Sequence, residues 1–193
     1  GVTEKNIAVM FTDIVGFTAI AEKISPTDLV EMITVYFETV TRVIFDHSGT
    51  LDKYIGDATM VLFNCPADVF DYEYLACACA LEIQKELAVV NNHFESLEKP
   101  RFETRVGVNV GTCFVGNIGS SFRLSYTALG DVVNATSRLE ALNRYYGTEI
   151  VISGECYDRV KERFVCRLVD TVAVKGKSTC TRVFELIGHT SET

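Results

Sequence analysis

The apolar and polar positions along the chain alternate between two periods. Lys5 to Phe11 places Ile7, Val9 and Phe11 at every second residue and reads as a buried strand, followed by a turn at Thr12 to Thr18. Ser25-Pro26-Thr27-Asp28 is a helix start: Ser caps, Pro occupies the first turn and Asp28 favours the dipole. Leu29, Ile33, Tyr36, Phe37, Val40 and Ile44 then follow helical spacing as far as Gly49. Thr50–Tyr54 and Ala58–Phe63 flank Gly56-Asp57 and form a hairpin signal. A second helix is expected from about Val69 to Val90, with Leu75, Cys79, Ile83, Leu87 and Val90 on one face.

Phe102–Asn109 alternates as a strand, and the glycines at 111, 116 and 119 divide the next stretch into short strands ending at Leu129. A third helix begins near Gly130-Asp131, with an apolar stripe of Val132, Ala135, Leu139, Leu142 and Tyr146. Ile150–Ile152 reads as a strand and Gly154–Val160 as a short helix. Val165–Val174 and Thr181–Leu186 close the chain as strands. Hairpins mixed with helices favour an α+β sheet with helices on one face over a doubly wound parallel sheet. The domain is expected to cover residues 1–188, with 189–193 as a flexible tail.

Composition narrows the functional classes. The chain has 193 residues, 18 Lys and Arg against 26 Asp and Glu, and a formal charge of −8. Such a chain buries roughly 70% of its unfolded surface without staples. The acid excess argues against nucleic-acid binding, which needs clustered cations. It leaves a nucleotide ligand open. No apolar run is long enough to span a membrane, and the polar start carries no secretory signal. The first residue is Gly1 rather than Met, which reads as a piece of a longer protein. The seven cysteines lack metal-binding spacing and sit among apolar neighbours, so they are expected to be reduced thiols in a cytoplasmic domain.

Four segments carry candidate chemistry. In Phe11-Thr12-Asp13-Ile14-Val15-Gly16, a carboxylate closes a buried strand beside exposed carbonyls, an oxygen mixture suited to Mg²⁺; a turn cap is the plain alternative. In Lys53-Tyr54-Ile55-Gly56-Asp57, a second carboxylate sits at a hairpin tip, where ordinary turn chemistry would also explain it. Two such carboxylates could hold two Mg²⁺ and clamp a polyphosphate. Asn134 and Arg138, at i and i+4, share a helix face suited to a sugar and a phosphate, or simply to water. Val174-Lys175-Gly176-Lys177-Ser178 is a cationic turn and not a phosphate loop, because Thr171 stands where that motif needs glycine.

Together these segments, with Arg-Val-Gly-Val-Asn-Val-Gly at 105–111 and Gly-Asp-Val-Val-Asn-Ala-Thr-Ser-Arg-Leu-Glu at 130–140, resemble the class III nucleotidyl cyclases. The similarity runs from about Lys5 to Leu186. It implies a ferredoxin-like βαββαβ core with a mixed, mainly antiparallel sheet and added C-terminal strands. It further implies that Asp13 and Asp57, with the Ile14 carbonyl, hold two Mg²⁺ (or Mn²⁺). Asn134 would orient the ribose, Arg138 would stabilise charge on the α-phosphate, and Lys175 would hold the terminal phosphates. Arg105 would add a phosphate contact.

The resemblance also implies that the residues at 53 and 127 read the base. Lys53 offers a donor to adenine N1, whereas guanine N1–H would need a carboxylate. Thr127 can accept from the adenine amino group but, as a neutral hydroxyl, also tolerates a carbonyl, so discrimination is expected to be soft. ATP converted to 3′,5′-cyclic AMP is the implied reaction. The alternatives are a guanylyl or dual-specificity cyclase, and a cyclase-like module without turnover. A head-to-tail homodimer with shared sites is implied, since one chain holds both sets of residues. Regulatory domains, and any membrane tether, would lie elsewhere in a longer parent chain.

Overall fold

A computed structural model describes residues 1–173 and 180–191. The first strand, β1 (Thr3–Ile14), is longer than its apolar run. It is followed by a short helix α1 (Phe17–Lys23), where the sequence reading expected only a turn. The Ile20 N–H donates to the Gly16 carbonyl and starts that helix without a side-chain cap. Helix α2 (Pro26–Asp46) begins as expected, with the Ser25 hydroxyl accepting from the Asp28 N–H. Strands β2 (Thr50–Ile55) and β3 (Ala58–Phe63) form the hairpin. Helix α3 (Tyr72–Ser96) starts later and runs further than its stripe suggested. At its head the Asp71 carboxylate does not cap; it is held by Arg163 through two contacts of 2.5 and 2.6 Å.

Strand β4 (Thr104–Ser120) is one long strand and not several short ones. Its glycines stay in the ladder, pairing β1 on one side and β5 (Arg123–Leu129) on the other. Helix α4 (Asp131–Tyr146), strand β6 (Ile150–Ser153), helix α5 (Gly154–Val160), and strands β7 (Phe164–Ala173) and β8 (Cys180–His189) complete the described chain. His189 therefore belongs to β8 and not to the expected tail; its ring centroid lies 5.0 Å from that of Phe164.

The sheet runs in the order β2-β3-β1-β4-β6-β8-β7, with β5 pairing β4. Among the described residues, only β4 and β6 pair in parallel. The order β4-β1-β3-β2, with α2 and α3 as the crossovers, is the expected βαββαβ core. Alternate residues face opposite ways. Ala8, Met10, Val61, Phe63, Val106, Val108 and Val110 join the core built under α2 and α3. Ile7, Val9, Phe11, Met60, Leu62, Cys113 and Val115 form a second cluster on the other face.

The expectation of helices on a single face does not hold, because α4 lies on that second face. Its Leu139 packs on Val151 and Val183. Two glycines make the approach possible. A Cβ on Gly107 would fall 2.6 Å from the Glu140 main-chain nitrogen, and one on Gly111 would fall 2.5 Å from a Val132 methyl. Asn143, fully buried, then pins the helix by donating to the Val106 carbonyl at 2.9 Å.

Candidate active site

The functional residues emerge on the face that carries α4. Asp13 is the last odd-numbered residue of β1 and stands in register with Arg105 on β4. Asp57 sits in the β2–β3 turn and reaches back, its Oδ2 accepting the Ile14 N–H at 3.1 Å. The Asp13 and Asp57 carboxyl groups are within hydrogen-bonding reach of each other. Burial pushes the Asp13 pKa up to about 8; the nearby Asp57 and Glu140 push the same way, and the Ile14 N–H opposes them. Glu140 is itself pushed up to about 7, mainly by burial, while its bond with Asp13 and the charge of Arg105 pull it down. Asp13, Ile14, Val15, Gly16, Arg105 and Glu140 line one open cleft of about 430 Å³.

This cleft suits a hard cation. It gathers half-buried carboxylates whose mutual repulsion a divalent ion would relieve, beside main-chain oxygens at a strand end. Among the described residues, no set of three His, Cys, Asp or Glu side chains converges in metal-binding geometry. A two-carboxylate set fits Mg²⁺, which keeps several waters and takes substrate phosphates as further ligands. Glu140 was not anticipated. It ends a motif already singled out, but its reach toward Asp13 depends on how closely α4 rests on Gly107.

The residues expected to read the base are brought together by a third that the sequence did not flag. The β2–β3 register shifts between Leu51, opposite Val61, and Lys53, opposite Met60. Asp52 is the extra residue of a β-bulge, and the bulge lets neighbouring side chains point to the same face. The Asp52 side chain is only 2% exposed. Its Oδ2 accepts the Thr127 hydroxyl at 2.6 Å and lies 3.9 Å from the Lys53 ammonium. Strand β5 reaches this point by folding over the sheet, with Ala128 and Tyr126 packed on the cluster of Ile7, Val9 and Phe11. Lys53 and Thr127, on separate strands, thus share one oxygen.

Asn134 and Arg138 sit on the exposed face of α4, as their spacing predicts. The segment 174–178, expected to be a cationic turn, and Lys175 with it, lie outside the described residues. All seven cysteines are free thiols, five of them buried. Cys77 and Cys156 lie 3.6 Å apart between α3 and α5. Among the described residues, no helix is long and apolar enough to cross a membrane.

Comparison with known proteins agrees with this geometry. The adenylate and guanylate cyclase catalytic domain family matches residues 2–187. Adenylate cyclase 1 of Rhizobium meliloti is 38% identical over 95% of the chain, and an adenylate cyclase of Anabaena cylindrica is 31% identical over 94%. The chain spans only 28% and 37% of the length of those two relatives. The crystal structure of the adenylyl cyclase CyaB from P. aeruginosa superposes with a TM-score of 0.88 at 31% identity, covering 97% of this chain and 96% of that one. The guanylyl cyclase Cya2 superposes with a TM-score of 0.87 at 32% identity, covering 98% and 95%. The strand order, the paired aspartates and the match over nearly the whole chain lead to one conclusion: this chain belongs to the class III nucleotidyl cyclase catalytic domains.

Proposed function

We propose that the chain is an adenylyl cyclase domain that converts ATP to 3′,5′-cyclic AMP and pyrophosphate in signal transduction. The observation that carries the choice of base is the pairing of Lys53 with Thr127 about one carboxylate oxygen. An ammonium donates to adenine N1, and a hydroxyl accepts from the adenine amino group. A guanine edge reverses both requirements. The named relatives that are adenylate cyclases support the same reading.

Asp13 and Asp57, with the Ile14 carbonyl, are the residues that would hold two Mg²⁺, for which Mn²⁺ would substitute. The bound ions would lower the pKa of the ribose 3′-hydroxyl and neutralise the departing pyrophosphate. Asn134 orients the ribose so that its 3′-oxygen stands in line with the α-phosphorus. Arg138 places a guanidinium where charge grows on the α-phosphate oxygens. Arg105 holds positive charge at the carboxylate cleft, and Lys175 receives the terminal phosphates. The residues position and neutralise; none forms a covalent bond to the substrate.

The complete site forms in a head-to-tail homodimer. Asp13 and Asp57 act from one protomer, and Lys53, Thr127, Asn134, Arg138 and Lys175 from its partner, giving two equivalent sites about a two-fold axis. The exposure of Asn134 and Arg138 on α4 supports this, since side chains that complete a neighbour's site must face outward. The domain works in the cytoplasm under control of other domains of a longer chain, a setting consistent with its free thiols.

The test is a base swap. Lys53→Glu with Thr127→Cys is expected to move preference from ATP toward GTP. A double variant that keeps full ATP preference at the wild-type rate would show that these residues do not read the base.

A further inference from the structure

We infer that Asp52 is a specificity-determining positioning residue: it fixes the proton of the Thr127 hydroxyl, so that Thr127 can only accept a hydrogen bond from the 6-position of the purine. This inference rests on the reading of Thr127 and Lys53 as base contacts and adds how they are polarised.

A threonine hydroxyl has one proton and two lone pairs, and a free one rotates to suit either a donor or an acceptor. This one is not free. Its oxygen lies 2.6 Å from Asp52 Oδ2, the short separation of a bond to a charged acceptor, and Asp52 is 2% exposed while Thr127 is 7% exposed. A carboxylate donates nothing, so the hydroxyl proton is committed to Asp52 and only lone pairs remain for a ligand. An adenine amino group meets a waiting acceptor there. A 6-carbonyl meets lone pair against lone pair. The soft discrimination expected of a free hydroxyl becomes strict.

The same oxygen acts oppositely on the neighbouring residue. Lys53 Nζ lies 3.9 Å from Oδ2, so the ammonium stands beside Thr127 as a donor. One buried carboxylate thereby presents an acceptor and a donor side by side, the complement of the adenine N6–H and N1 edge. The geometry depends on the bulge, because regular alternation would send Asp52 and Lys53 to opposite faces.

The test compares kcat/KM for ATP and for inosine triphosphate, which carries a carbonyl at the 6-position, in wild type, Asp52→Ala, Thr127→Val and the double variant. Asp52→Ala is expected to raise the inosine triphosphate to ATP ratio about tenfold, the scale of one hydrogen bond. With Thr127→Val already present, Asp52→Ala should change the ratio by much less than it does in wild type, because only its hold on Lys53 is left to lose. A merely structural role for Asp52 would lower both substrates alike and leave the ratio where it was; that result overturns the inference while leaving ATP cyclisation intact. Should Asp52→Ala not fold, Thr127→Val alone must raise the ratio by the same factor, and an unchanged ratio overturns the inference. A wild type that makes no cyclic product from ATP overturns the underlying assignment instead, and this inference with it.

Discussion

The main-chain nitrogen of Glu140 lies 2.6 Å from the point a Cβ would occupy on Gly107. That spacing lets α4 rest directly on β4. It brings Glu140 to Asp13 and fixes the height of Asn134 and Arg138 above the sheet. The clash at Gly107 is with backbone, which has no flexible end to move aside. Gly107→Ala is therefore expected to destabilise the fold by about 1–3 kcal/mol, the usual cost of overpacking. Activity should fall by more than the unfolded fraction explains, because α4 shifts with its two functional side chains. Urea titration beside an activity assay checks both.

The ion pair at the head of α3 gives a pH dependence. Arg163 holds the Asp71 carboxyl below the usual aspartate range, through hydrogen bonds first and charge second. A lowered folded pKa means stability that is present above the unfolded value, near 3.9, and lost as pH falls through the folded one. Both side chains are partly exposed, so the contribution is small, about 1 kcal/mol at most. Asp71→Asn should lower the melting temperature at pH 7 and match wild type near pH 2. A constant difference across that range would contradict the assignment.

Metal binding has a readout apart from turnover. In chelator-treated protein, Mg²⁺ or Mn²⁺ with an unreactive ATP analogue should raise the melting temperature of wild type. Asp13→Asn should abolish the metal-dependent part of that rise while folding normally. An equal rise in the variant would show that the ions bind elsewhere.

The shared site predicts complementation. Asp57→Ala and Arg138→Ala proteins should each be inactive, and mixing them should restore activity to about a quarter of wild type, since half the dimers are mixed and each carries one intact site. Absence of recovery despite proven subunit exchange would refute the two-protomer arrangement.

Much of this was legible in the sequence because local signals and fold agreed. Ser25-Pro26 starts a helix, Gly56-Asp57 turns a hairpin, and Asp13 ends a buried strand, each by its own chemistry. The features that were not legible depend on distant partners. The alternation rule misplaces Asp52, because a bulge becomes visible only once β3 is paired. Glu140 looks like an ordinary helix-surface acid until Gly107 admits the helix. The glycines of β4 resemble breaks, yet β1 and β5 hold the strand continuous through them. Asp71 falls inside the helix expected from about Val69, yet it precedes α3 and is held by Arg163, 92 residues away.

The central claim is tested most directly by incubating the purified chain with ATP or with GTP, each with Mg²⁺ or Mn²⁺, at several protein concentrations, and identifying the products. The account predicts 3′,5′-cyclic AMP and pyrophosphate in equal amounts, little cyclic GMP, and a specific activity that climbs with protein concentration. Cyclic GMP as the main product, or no cyclic nucleotide at any concentration, would contradict it.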